Sequence, residues 1–204
     1  MNVPEELINE LRMGPGSKQV RHNKLHGLLD LINDFVKPDT IMAEIGSYRG
    51  ASTELFALHC KKIYAIDPWS KVIEGKYVNV SRATRKLPQQ IEAEKTFMNR
   101  AAKHNNISPI KDFSYNVYDQ FEDNSLDLVY VDGHHSGRAV YEDVTNWFPK
   151  LKIGGVMSGH DFQMGQIKQV VDSITDVIKS RKRYKDGSWA FIKPRNDIEK
   201  EINY

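Results

Sequence analysis

Cysteine is nearly absent: Cys60 stands alone among 204 residues, so no internal disulfide can staple the chain and a disulfide scaffold is excluded. Long apolar runs are missing as well. No stretch approaches the roughly 20 apolar residues that a bilayer-spanning helix needs, and the first residues carry no charged-then-apolar signal pattern. A protein of a reducing compartment, the cytoplasm, is expected, with no membrane partner. An excess of one charge is lacking too, since 29 Lys and Arg oppose 27 Asp and Glu for a net charge of +2. Recognition of a phosphate backbone draws on a much larger positive excess, so nucleic acid is not the expected partner. The basic groups at 82–86 and 179–185 read as solvated helix faces. Repeats and low-complexity tracts are likewise absent. With 40% hydrophobic residues, a chain of this length buries one sizeable core without disulfides or metals, and the reading is one domain over residues 1–204, with monomer and homo-oligomer both open.

What is present is an alternation of strands and helices. Residues 1–38 read as two helices broken at Gly14, Pro15 and Gly16, with Leu25, Leu28, Leu29, Ile32 and Phe35 at helical spacing. A short apolar strand follows at 40–46, a helix from Ser52, and a second strand at 62–67, together the size of a βαβ unit. Residues 68–96 contain a variable insertion or cover, with helix formers taking over from Gln89. A weaker strand is expected at 107–113, and the strongest at 127–132, where β-branched and aromatic residues crowd. Then come a helix at 139–148 stopped by Gly154 and Gly155, a strand at 156–161, a helix at 167–180, and a hairpin turn at Asp186 and Gly187 into a last strand at 189–193. Repeated β-α pairs closed by a hairpin imply a doubly wound α/β fold, its sheet mostly parallel with one antiparallel strand.

In such a sheet ligands bind beyond the carboxyl ends of the strands, and the residues there are polar. The first strand ends in EIGSYRGAST (44–53), the second at Asp67, the fourth at Asp132 with His134 and His135, the fifth at His160 and Asp161. Gathering that many ionisable groups at one edge is unfavourable unless a ligand uses them. Gly46 and Gly50 let the backbone approach a ligand closely, but their spacing is not the G-x-G-x-x-G of a dinucleotide fold. Asp67, about twenty residues on, suits two ribose hydroxyls and so marks a nucleoside.

Taken in order, EIGSYRGAST (44–53), AIDPW (65–69), DLVYVDGHH (127–135) and GGVMSGHDF (154–162) resemble the class I methyltransferases that use S-adenosylmethionine (SAM), and among them macrocin-type sugar O-methyltransferases and cephalosporin hydroxylase-like proteins. The resemblance covers roughly residues 42–193 and implies a Rossmann-like methyltransferase fold, a seven-stranded sheet of order 3-2-1-4-5-7-6. It implies that the turn carrying Glu44, Gly46, Ser47, Tyr48, Gly50 and Ser52 holds the cofactor, with Glu44, Gly46, Ser47 and Gly50 along its methionine part. Asp67 would take the ribose, Asp112 and Ser114 would lie beside the adenine, and Asp132 would border the same site. It further implies a divalent cation, magnesium or manganese, on Asp132, His160 and Asp161. His160 replaces the more usual carboxylate, and an imidazole ligand shifts the preference from magnesium toward manganese, iron or zinc. His135 stands where these enzymes carry their general base, and His134 reads as a hydrogen-bonded loop histidine. Trp69 is expected at the border of the substrate cleft and Asp143 as a solvent-facing acid, orientation of His135 being its alternative role.

Such residues suit methyl transfer to a hydroxyl oxygen of a small molecule, where alignment and proton removal are the protein's main tasks. The alternatives are a metal-dependent hydroxylase of the cephalosporin hydroxylase-like kind, sharing fold and metal residues, and a SAM-binding protein without turnover. Gly137 and Arg138, where relatives often carry Tyr-Glu, favour the last.

Overall fold

A computed structural model describes residues 3–12, 18–70, 72–73, 76–77, 87–178 and 180–195. Helices α1 (Glu5–Arg12) and α2 (Lys18–Phe35) precede β1 (Ile41–Ile45), α3 (Ala51–Ala57) and β2 (Lys62–Ile66). The glycine-proline break expected between the two helices lies outside the described residues. Within the expected cover, β3 (Val72–Ile73) and β4 (Lys76–Tyr77) pair as a small antiparallel hairpin, and α4 (Leu87–Ala101) begins before the cover was expected to end. Next come β5 (Ile107–Ile110), two 3-10 turns at Ser114–Asn116 and Tyr118–Gln120, β6 (Leu126–Val131) and α5 (Gly137–Trp147). The described chain finishes with β7 (Leu151–Gly159), α6 (Gly165–Ile178), β8 (Lys182–Arg183) and β9 (Trp189–Ile192).

Seven strands form one sheet in the order β5-β2-β1-β6-β7-β9-β8. Numbered by the sheet's own strands this is 3-2-1-4-5-7-6, with β9 antiparallel to both β7 and β8. The parallel strands are apolar on both faces because helices cover both. Successive residues show the split: Met42, Leu128 and Tyr130 pack with Leu28, Leu31 and Ile32 of α2 and with Phe56 and Phe97, whereas Ala43, Val129 and Val131 pack with Val140, Val144 and Trp147 of α5 and with Val171 of α6. Among the described residues no helix is long and apolar enough to cross a membrane.

One strand differs from expectation. β7 starts at Leu151, so Gly154 and Gly155 lie inside it and do not separate it from the preceding helix. Leu126 faces Leu151 and Leu128 faces Val156, so β7 carries extra residues over one step of β6 and bulges. Gly154 takes a left-handed φ of 80° there, and hydrogen bonds link its N–H to the Lys193 carbonyl (2.9 Å) and the Lys193 N–H to the Gly155 carbonyl (2.8 Å).

Candidate active site

The turn after β1 is built from residues that accept left-handed backbone. Gly46 and Gly50 have φ of 91° and 80°, and Tyr48 between them has 45°, a conformation that costs a non-glycine residue on the order of 1 kcal/mol. A Cβ on Gly46 would lie 2.3 Å from the carbonyl oxygen of Asp132 and 2.4 Å from Cα of Gly133. Gly46 is therefore glycine so that the ends of β1 and β6 can touch, a different reason from clearing space for a ligand. Glu44 does not line the cleft as the resemblance implied. It is fully buried behind the turn, accepting hydrogen bonds from the hydroxyls of Ser47 (2.9 Å), Ser52 (2.6 Å) and Thr53. Burial pushes its carboxyl up to about 7, the three hydroxyls opposing the rise and the Asp132 charge adding to it.

Asp67, at the end of β2, accepts from the backbone N–H of Tyr48 (2.9 Å) and of Trp69 (2.7 Å), which ties the first two strand-end turns together. Trp69 completes that tie by donating its indole N–H to the Tyr48 carbonyl (2.7 Å). It is 1% exposed and packs on Phe97 at 4.6 Å, so its place is in the core and not at the cleft border. Asp112 is not among the residues lining the cleft: its carboxylate accepts from the Phe113 N–H (2.7 Å) and the Asn116 amide (2.9 Å), bracing the 3-10 turn, while Ser114 faces the cleft. Asp143 is no solvent-facing acid. It is 6% exposed, borders the cleft and receives the Ser114 hydroxyl; the bond found for it goes there and not to His135.

The ends of β6 and β7 meet opposite the glycine turn. His135 and Asp161 are hydrogen-bonded through Nδ1 of the imidazole. Nδ1 of His160 lies 3.2 Å from Asp161 and 3.9 Å from Asp132. Ligating atoms of Asp132, His135 and Asp161 all lie within 4.8 Å of one another, so among the described residues the group spaced for a metal ion has His135 where His160 was expected, with His160 beside it. Asp161 sits at φ 61°, another strained position at this edge. His134 is held by Ser136, Nδ1 to Oγ at 3.0 Å. Its expected place as a loop histidine and its position on the cleft wall coincide.

Charges here are mutually dependent. Asp132 keeps 30% side-chain exposure through the cleft, but protein surrounds its other sides, and the lost hydration raises its carboxyl to about 6 against the pull of His160. For His160 burial alone would lower the imidazole, yet Asp132 and Asp161 outweigh it and push it up to about 9. Asp161 is held well below the ordinary carboxylate range: burial opposes this, and hydrogen bonds from His135 and His160 overcome it. His135 is raised by its bond to Asp161, against burial. A mixed nitrogen and oxygen set of this kind fits a transition-metal dication such as manganese, iron or zinc better than an oxygen-only ion such as calcium.

One cleft of about 570 Å³ joins these parts, from the glycine turn past Asp67 and Ser114 to Asp132, His135 and His160. It falls in the range of small-molecule and cofactor sites. Sequence reasoning missed several of its walls, three among them from distant elements. Leu28 comes from α2, Tyr130 from inside β6 and Asp186 from the hairpin turn, and none carries a local signal, because only the tertiary packing turns each toward the cleft.

Sheet order, inserted antiparallel strand and strand-end cleft together define the Rossmann-like methyltransferase fold. A family model described as a methyltransferase domain matches residues 43–162, more than half of the 204 residues, and the chain belongs to that family, with a class I SAM-dependent methyltransferase domain. Uncharacterized protein R132 of Acanthamoeba polyphaga mimivirus is 27% identical over 149 residues, 70% of this chain and 60% of that protein, so the chain spans 60% of that relative's length. Among solved structures, the O-methyltransferase NovP is similar with a TM-score of 0.59 and 17% identity, covering 94% of this chain and 89% of its own. An rRNA methylase from Streptococcus thermophilus is similar with a TM-score of 0.56 and 14% identity, covering 84% and 96%. At such identities the likeness concerns the fold, and the two named acceptors differ.

Proposed function

We propose that this SAM-dependent methyltransferase acts on a hydroxyl oxygen of a small molecule with help from a divalent cation. The observation that carries the reading is the cluster of Asp132, His135 and Asp161 with His160 beside it, of which Asp132, His135 and His160 line the same cleft as the glycine turn. SAM supplies a methyl group already activated on a sulfonium, and a cation at Asp132 and Asp161 would lower the pKa of the acceptor hydroxyl. Cofactor contacts fall to the backbone of Gly46 to Ser52 and to Asp67, with Glu44 fixing the turn from behind. His160, 17% exposed, completes the cation site. His135 is more open at 33%. Its bond to Asp161 through Nδ1 leaves Nε2 to accept the hydroxyl proton. The spacing of Asp132, His135 and Asp161 favours a second assignment in which His135 ligates the ion.

Manganese binding separates the two assignments. Titration calorimetry with Mn²⁺ should show one site in the wild type, weakened about 10- to 100-fold or more by Asp161→Asn, with binding of S-adenosylhomocysteine (SAH) changed far less. His160→Ala should weaken the ion while His135→Ala leaves it bound, and the reverse pattern transfers the ligand role to His135. Equal Mn²⁺ affinity in the wild type and Asp161→Asn would remove the cation from the reading.

A further inference from the structure

Asp186 is an acid of the cleft wall that the reaction outlined above does not use. The strand order separates it from the cofactor contacts: Asp67 follows β2, two strands to one side of β6, whereas Asp186 sits in the turn between β8 and β9, beyond β7 on the other side. With the glycine turn, Asp67 and Ser114 on the cofactor and Asp132 and Asp161 on the cation, Asp186 is left to the acceptor's end of the cleft.

The hydrogen bonds around it run in one direction. Oδ1 accepts from the Ser188 N–H (2.9 Å) and Oδ2 from the Ser188 hydroxyl (2.8 Å). That hydroxyl has a single proton and gives it to Asp186, so Tyr130, whose Oη lies 3.2 Å from Ser188 Oγ, is the donor in their contact. Tyr130 and Asp186 both line the cleft, and what they still offer there is lone pairs. Among the described residues no salt bridge reaches Asp186. Lys182 of the same hairpin pairs with Asp34 (2.5 Å) and Arg181 with Asp172, while His160 attracts Asp186 from a greater distance and pairs with Asp161 at 3.2 Å. Burial raises the Asp186 carboxyl above its ordinary value, against the pull of His160 and the bonds from Ser188. A partly buried carboxylate without a close counter-charge is unfavourable, and an occupant that brings both donors and positive charge relieves it.

The packing of α2 narrows the occupant. Gly27 lies inside this helix, where glycine is unfavourable, and a Cβ on it would fall 2.3 Å from Oδ1 and 2.6 Å from the backbone nitrogen of Asp186. The bare backbone lets α2 close on the hairpin turn, and the next residue, Leu28, gives the cleft an apolar wall. Oxygens that only accept, set beside such a wall, match an ammonium group better than a neutral hydroxyl, which brings one donor and no charge. Resting on the reading of the cleft as a site of SAM-dependent O-methylation, we propose that Asp186 is a specificity-determining residue for the acceptor, an amine-bearing hydroxyl compound whose ammonium group is received by the Asp186 carboxylate and the Tyr130 oxygen.

The test uses tyramine and 4-ethylphenol, which share one phenol skeleton and differ by the ammonium group. Titration calorimetry on the SAH-saturated protein at about pH 8, where the amine is protonated, should show tyramine bound about tenfold or more tighter, the scale of one hydrogen bond to a charged group. An apolar wall alone would favour 4-ethylphenol, so the ratio reads the carboxylate and not general packing. Asp186→Asn, folded by circular dichroism and still binding SAH, should bring the ratio to one or below. Wild-type binding without preference for tyramine, or binding of neither compound at millimolar concentration, overturns the role of Asp186 and needs no variant, so misfolding of the variant cannot mask the result. A preference retained in folded Asp186→Asn overturns it as well. A wild type that binds no SAH overturns instead the reading of the cleft on which this inference rests.

Discussion

Glu44 has no solvent exposure and meets three hydroxyls, so its proton couples the glycine turn to pH. Its folded-state pKa of about 7 exceeds the ordinary 4.5, and the folded chain therefore binds the proton more tightly than the unfolded chain between those values. Stability from this group is complete below about pH 4.5 and is lost as pH rises through 7. Glu44→Gln keeps an acceptor for the hydroxyls but cannot ionise. Between pH 5 and 8 the variant should gain on the wild type by up to ~3 kcal/mol in urea unfolding; a difference that stays constant over this range would mean that Glu44 ionises at its ordinary value. Nothing in the string 44–53 distinguished Glu44 behind the turn from Ser47 or Ser52 on its cleft side. Strand alternation gives a residue's face, but Glu44 sits where β1 is covered on both faces.

At the level of elements, the approach of β1 to β6 depends on Gly46. The atoms that a Cβ would strike are the backbone of Asp132 and Gly133, which cannot swing aside. At Gly50 the obstacles are side chains, the buried ring of Phe97 and the flexible Arg100, which yield more readily than backbone. Both positions have positive φ, so Gly46→Ala should destabilise the protein more than Gly50→Ala, by ~2 kcal/mol or more in denaturant midpoints. Equal losses would show that the strand ends separate freely. Most strands were legible because β-branched and aromatic residues concentrate at 127–132 and turn residues bound the others. The start of β7 was not. Gly154 and Gly155 read as a stop from local propensity, while the bulge that accommodates them is set by pairing with β6 and β9. Likewise Asp143 lies mid-helix in a charged stretch, and only the packing of α5 on the 3-10 turn at Ser114 turns it inward. The strand-end residues Asp67, Asp132, His135 and His160 were legible as one edge because topology alone carries parallel strand ends to one side.

For the whole molecule, the cleft draws walls from α2, from the turns after β1, β2 and β6, and from the β8–β9 hairpin. A ligand there links segments far apart in sequence, and it binds the folded chain alone. SAH at a hundred times its dissociation constant should therefore stabilise the protein by ~2.7 kcal/mol and raise the melting temperature by a few degrees. No shift at millimolar SAH would argue that the cleft does not take this ligand. The position of β9 between β7 and β8 has a further effect, on the order in which the protein assembles. During synthesis β1, β2, β5, β6 and β7 all emerge first, yet β7 has an open edge, and the core lacks Trp189 and Phe191, until residues 189–192 arrive. A nascent chain halted before that point holds a parallel sheet with an exposed, apolar rim suited to pairing with its neighbours. Arrival of β9, and not the making of the first βαβ unit, is then the step that closes this rim.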